Sequence, residues 1–456
     1  MHDEEVFLIS QTIETPTNCR TNSVDPTMQL PDHILQSIFS HLNFHDLVHV
    51  RLVSKNWHRN TPSHFALHFN ESLFHEKNPT NKSDFWDWIR SSLDASNTNK
   101  LINVEKRVLR VKCDHPGDIR DVLGLLGGNH FHEVYLSFKL LRTHCYYLPY
   151  IFQSKFLTLL HLTECGIHNR VFYGTEEIFP SLQELKLDKV TVCEVTLSMF
   201  ISKCPCLSEL SLLNCWGICF IVLTKLDRLK KLYVKLSYFH SFTYIRVIAP
   251  SLQVFHFVHR SRERRVAVNM DIRACKMLRE FHLDCWRFPQ GLDPENISSH
   301  FPRLETLLLG PCQTEKPIKI KISGPLLTKW ILSFPGLYEC SRKSIVSTPN
   351  NLSSFQYMGT MFQPYLALPS DTSKVLGSSN IVLIPKTNEV NRAWFLKLRS
   401  HLENFSNYNT ILDLRLREKG QAKWTSSNTA AGSHQALNSR HEQAQKSTGI
   451  FVEIYN

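Results

Sequence analysis

No apolar run in this 456-residue chain approaches the roughly 20 residues that a membrane-crossing helix needs, so a helical membrane anchor is not expected. A secretory leader is not expected either. The stretch from Met1 to Asp25 is polar and partly acidic, and Val6-Phe7-Leu8-Ile9 is its only apolar run. There is no G-x-S-x-G turn to raise a nucleophile and no glycine loop to cradle a phosphate, so the chain is expected to do no covalent chemistry and to need no cofactor. Thirteen cysteines invite a metal or disulfide reading. Cys204-x-Cys206 with Cys215 and Cys219 lacks the paired C-x-x-C spacing of a zinc site, however, and His41, His45 and His49 have no carboxylate or thiolate placed to complete one. Reduced, mostly buried thiols without a leader fit the cytoplasm or nucleus.

What is present begins at residue 30. In LPDHILQSIFSHLNFHDLVHVRLVSKNW, Leu30, Ile34, Leu35, Ile38, Phe39 and Leu42 recur at helical spacing and line one broad apolar face. Pro31 suits a first helical turn, and Asp32 favours the positive end of the helix dipole. A second helix from about His45 carries Leu47 and Val50 inward, and Ser54 is placed to cap a third that bears Trp57. Three helices in about thirty residues bury little, so part of this apolar face is expected to be completed by another chain.

The second feature is a repeat. L-x-x-L-x-L and its degenerate forms start at Leu157, Leu182, Leu207, Leu229, Leu252, Leu278, Leu304, Leu327 and Leu352. Every interval between successive starts falls inside the period of roughly 20–29 residues that leucine-rich repeats keep. Weaker copies surround Leu109 and Val134, making about eleven. Pro180, Pro205, Pro250, Pro302 and Pro325 each stand two residues before a first leucine, where a residue without an N–H ends the return segment ahead of a strand. Cys165, Cys215 and Cys312 each follow a first leucine by eight residues and are expected to face the interior. Each repeat supplies one strand and a crossover, stacking builds a shared leucine core, and the residues between the leucines face outward on a concave parallel sheet. About eleven strands at ~4.8 Å give a surface on the order of 50 Å long, enough for a protein partner.

Charge is the remaining clue. Lys and Arg number 52 against 41 Asp and Glu, a net +11 that raises nucleic-acid binding as a competitor. The outward positions (Glu184, Lys186, Asp188, Glu209, Lys231, Lys235, Glu280 and Asp284) are mixed in sign, so nucleic acid is disfavoured. The densest basic run, Arg260-Ser-Arg-Glu-Arg-Arg265, falls on a loop after a strand. Candidate target contacts are Glu184, Lys186, Glu209, Lys231, Tyr233, His256, Glu280 and His282, ordinary strand residues unless a partner engages them.

The segment opening Leu30-Pro31 and ending Val53-Ser54-Lys55-Asn56-Trp57 resembles the F-box, and the whole order resembles the plant-type F-box/LRR (leucine-rich repeat) family. The resemblance implies an α/β fold class: a small N-terminal trihelical F-box followed by a leucine-rich-repeat solenoid with a parallel sheet on its concave face. It implies a Skp-type adaptor bound through Leu30, Pro31, Ile34, Leu35, Ile38, Leu42, Val53 and Trp57, with a cullin scaffold beyond. The chain would be a non-catalytic subunit of an SCF-type E3 ubiquitin ligase whose repeats select the target protein. The alternative is a repeat-based scaffold or small-molecule sensor that directs no ubiquitination. Residues divide as a 1–26 leader, the F-box at 27–66, a 67–100 linker, repeats at 101–365, a 366–417 capping segment and a 418–456 polar tail. Within the linker, Phe85, Trp86, Ile89 and Leu93 predict an amphipathic helix that caps the first strand. Trp394, Phe395, Leu398 and Leu402 predict another in the capping segment, followed by a strand at 410–416.

Overall fold

Leucine at the first, fourth and sixth places of each repeat dictates the architecture. The computed structural model describes residues 30–39, 50, 53–60, 64–77, 85–90, 93, 106–114, 131–139, 147–148, 154–172, 179–236, 242–259, 268–285, 288–292, 297–310, 320–321, 326–334, 345–347, 352–359, 365–367, 378–383, 390–403, 410–415 and 451–455. All nine first leucines, Leu157 to Leu352, are at most 3% exposed. The fourth and sixth places are at most 4% exposed even where Phe255, Phe281, Trp330, Phe355 or Tyr357 replaces leucine. What the repeat requires physically is an inward apolar side chain, not leucine itself.

The chain forms two compact units, Met1–Gly217 and Ile218–Asn456. The first contains a parallel sheet of β1 (His64–Asn70), β2 (Lys106–Cys113), β3 (Glu133–Phe138), β4 (Leu159–Thr163), β5 (Glu184–Asp188) and β6 (Glu209–Leu213) in chain order. Its register aligns Leu67, Leu109, Val134, Leu160, Leu185 and Leu210 as one buried column. The second contains β7 (Lys231–Leu236), β8 (Val254–His259), β9 (Glu280–Cys285), β10 (Thr306–Leu309), β11 (Lys329–Phe334), β12 (Ser354–Gly359), β13 (Ser378–Leu383), β14 (Thr410–Arg415) and β15 (Phe451–Tyr455), again parallel. Here Leu232, Phe255, Phe281, Leu307, Trp330 and Phe355 form the column, and the rings of Phe255 and Phe281 stack at 5.8 Å.

The strands extend past the expected array. β1 lies in the segment read as F-box end and linker, β13 and β14 in the segment read as a cap, and β15 in the polar tail. The helix at 85–90 sits in the crossover from β1 to β2, after α3 (Glu71–Lys77), which precedes it in chain order. Trp88 packs edge-on against Phe69 of β1 at 4.8 Å and stacks on Phe74 at 5.2 Å, so its observed partners lie on the face of the first repeat. A parallel pair requires such a crossover. In the later helix, Arg392–Glu403, Trp394 and Leu398 are buried, but Phe395 is 52% exposed. Residue 395 lies about 100° around the helix from 394, off the stripe that 394 and 398 share.

Proline has a sharper role than that of a strand breaker. The N–H groups of Leu182, Leu207, Leu252 and Leu304 donate to the carbonyls of Phe179, Cys204, Ala249 and Phe301, three residues back. Pro180, Pro205, Pro250 and Pro302 therefore occupy the second position of a β-turn, where a fixed φ pre-sets the geometry. Each turn delivers the chain inward, because the residue before each proline is fully buried. At the other end of the strands Glu164, Lys189 and Asn214 take positive φ at equivalent places, and Cys165, Val190 and Cys215 then point into the core. Cys312 lies outside the described residues.

Many return segments are strands, not helices. Phe220–Leu223, Tyr244–Val247 and Asn269–Asp271 pair in a second parallel sheet, with every second side chain buried. Gly291 closes this layer with φ +85°, and a Cβ there would meet the Met270 carbonyl at 2.8 Å. Gly291→Ala is expected to lose about 2 kcal/mol from forced φ and overlap together, read as a fall in the chemical-denaturation midpoint.

Candidate functional site

Two surfaces can act on a partner. The first is the N-terminal helical unit, with α1 (Asp32–Phe39) and α2 (Lys55–Asn60). Leu35 and Phe39 turn inward at 1% and 2% exposure, with Leu30, Val50 and Trp57 packed around them. The Phe39 and Trp57 rings lie 5.3 Å apart. Ser54 caps α2 as its position predicts, its Oγ accepting from the Trp57 N–H at 3.1 Å. Asn60, 2% exposed, ties the two helices together: its amide NH2 donates to Asp32 Oδ1 at 2.8 Å, and Gln36 donates to its Oδ1 at 3.2 Å.

The exposed side is apolar. Ile34 and Ile38, one turn apart on α1, are 39% and 47% exposed, and Val53 is 56% exposed; Pro31 is exposed too. This divides the residues that the resemblance assigns to the adaptor. Ile34, Ile38, Val53 and Pro31 are free to meet a partner, whereas Leu35 belongs to the unit's own core and corrects the expectation of direct contact. Leu30 and Trp57 are half-buried against that core. Leu42, with His41, His45 and His49, lies outside the described residues.

The second surface is the outward face of the strands. In unit two the register sets Tyr233, His256 and His282 side by side on β7, β8 and β9. Tyr233 meets His256 edge-on at 4.9 Å, His256 meets His282 at 5.1 Å, and His256 Nε2 lies 2.7 Å from Glu280 Oε1. Four of the eight candidate target residues thus form one cluster, with Lys231 on the neighbouring row of β7. Asp284 was expected on the same face and is instead 7% exposed. The chain at Gly310 approaches so closely that a Cβ there would sit 2.8 Å from the Asp284 side chain.

In unit one Glu184 and Glu209 are cross-strand neighbours, and Lys186 of β5 pairs in register with His161 of β4 and Ser211 of β6. The same register position holds residues that sequence reading missed: His68, Arg110, Tyr135 and His161, on β1 to β4. They form a chain of contacts. Arg110 Nη1 lies 3.1 Å from His68 Nε2, its guanidinium sits over the Tyr135 ring at 4.8 Å, and Tyr135 meets His161 edge-on at 5.8 Å. Arg110, Tyr135 and His161 each directly follow the fourth-place apolar residue of a repeat, an offset visible in the sequence, whereas His68 lies on a strand without the repeat signature.

Burial first, and the Lys186 ammonium second, lower the His161 pKa to about 4, so the ring is neutral at pH 7. Because the folded state resists the proton that the unfolded chain accepts near its ordinary value, stability is complete above about pH 6.5 and falls between there and about 4. His161→Gln is expected to flatten that acid-side fall in melting temperature. An unchanged pH profile contradicts the assignment.

The buried thiols sit in the apolar core. Burial pushes Cys204 and Cys215 up to about 12, and the Cys215 thiol donates to the Leu187 carbonyl at 3.4 Å, so both are protonated at neutral pH. Arg260–Arg265 lies outside the described residues. Among the described residues, no helix is long and apolar enough to cross a membrane.

Residues 27–68 match the family model of the F-box-like domain, and residues 130–321 match that described as the At1g61320/AtMIF1 LRR domain. A search of curated proteins found no match. An F-box-like unit joined in sequence to stacked leucine-rich repeats places the chain in the family of F-box/LRR proteins.

Proposed function

We propose that this chain is the substrate-recognition subunit of an SCF-type E3 ubiquitin ligase. The F-box binds a Skp-type adaptor and through it a cullin scaffold, and the repeats bind the target protein. The observation that carries the reading is the division of α1: Leu35 and Phe39 close the unit's core while Ile34 and Ile38 stay exposed. Large apolar residues kept on the surface of a unit this small are the anchors that a partner's pocket desolvates. The chain acts by proximity, raising the effective concentration of a target lysine near a ubiquitin-charged enzyme. Its place of work would be the cytoplasm, the nucleus or both.

Proximity labelling with the full-length chain and with its Ile34→Asp/Ile38→Asp variant tests this. The unmodified chain is expected to label adaptor and cullin together with target proteins. The variant should keep the targets, which should now accumulate, and lose the scaffold. Equal labelling of adaptor and cullin by both forms contradicts the proposal.

A further inference from the structure

The row on β1 to β5 of unit one has a chemistry that the family assignment does not specify. Two cations stand on it, Arg110 on β2 and Lys186 on β5. Among the described residues, no carboxylate lies within ion-pair distance of either. Between them Tyr135 and His161 offer half-buried rings in edge-to-face contact. Arg110 is pre-positioned, held over Tyr135 on one side and against His68 on the other, so little of its rotamer freedom remains to be lost on binding.

Geometry sets the spacing of a ligand. From β2 to β5 is three strand separations, about 14 Å, which an extended peptide crosses in about four residues. The flanking positions set its charge pattern. Glu133, Glu184 and Glu209 stand on one side of the row, in register across β3, β5 and β6, and Asp188 stands on the other. A polyanion with a charge at every step would run against these carboxylates, whereas two isolated anionic groups at the right separation would not.

We propose that this row receives an extended segment of the target protein bearing two anionic side chains about four residues apart with an aromatic residue between them, which rests on the target-selecting role given to the repeats above. Arg110 takes one anion and Lys186 the other. The central ring packs on Tyr135 and His161, and His161, neutral at pH 7, adds a surface without adding charge.

The test is fluorescence anisotropy of the full-length chain with a labelled peptide of core Asp-Gly-Tyr-Gly-Asp. Companion peptides carry Asn, or phosphoserine, at both acidic places, and a ten-nucleotide thymidine strand serves as the polyanion. The Asp peptide is expected to bind at least tenfold more tightly than the Asn peptide, with Arg110→Gln and Lys186→Gln each weakening it about fivefold or more. If the phosphoserine form binds more tightly than the Asp form, the natural anion is a phosphate; if less, a carboxylate. Either supports the receptor role. Arg110→Glu should recover binding to a peptide with Lys in place of one Asp, a gain that an unfolded variant could not show. Equal binding of Asp and Asn peptides overturns the proposal. So does thymidine binding that exceeds peptide binding and is lost with Arg110. Adaptor capture by the same unmodified preparation separates the two readings: peptide binding without capture sinks the ligase reading alone, and capture without peptide binding sinks this one alone.

Discussion

Phe281→Ala is expected to destabilise the second unit by about 3–5 kcal/mol. The side chain is fully buried, stacks on Phe255 across the β8–β9 pair, and meets Phe301 of the return segment at 5.8 Å. Removing it deletes the transfer energy of a large ring and leaves a cavity between layers that a parallel sheet cannot slide to fill. Because stacked repeats hold one another chiefly through nearest-neighbour contacts, the loss should spread to the adjoining strands. Hydrogen exchange should show protection falling first over β8, β9 and β10. Phe281→Leu, which restores the common residue at that place, should cost much less. A variant with Ala that melts like the unmodified chain would mean that the column is not continuous there.

The second large effect is on binding. Ile34→Asp together with Ile38→Asp should weaken adaptor capture at least a hundredfold, about 3 kcal/mol by the rule of 1.4 kcal/mol per tenfold. Each substitution removes an apolar anchor and places a carboxylate where a partner would have to desolvate it. Since both side chains are exposed, the folded chain should barely notice. Leu35→Asp would be a poor probe, because at 1% exposure it would disrupt the unit and confuse unfolding with lost contact.

The repeat architecture was legible because its signal is physical and redundant. A leucine that returns once per repeat, with apolar partners three and five places later, can only be a buried column, and each burial follows. The Ser54 cap was readable for the same reason, since a hydroxyl three residues before a free N–H has one obvious use. What was not readable depends on distance in space. Leu35 and Ile34 are adjacent in a helix whose whole face is apolar, and only the position of Phe39, Val50 and Trp57 decides which of them turns inward. Asp284 is buried by the approach of Gly310, which belongs to the following repeat. β1 escaped notice because His64–Asn70 has no leucine-rich signature of its own and gains its place by pairing with β2. The row from His68 to Lys186 is polar, and polar residues at fixed offsets become a surface only once the register is known.

Adaptor docking on α1 can be read out by hydrogen exchange of the full-length chain with and without a purified Skp-type adaptor. New protection should appear over residues 32–39 and around Val53, where the exposed apolar side chains lie, and the strands β2 to β12 should exchange unchanged. Protection confined to the strands, or none over 32–39 at saturating adaptor, would contradict the account.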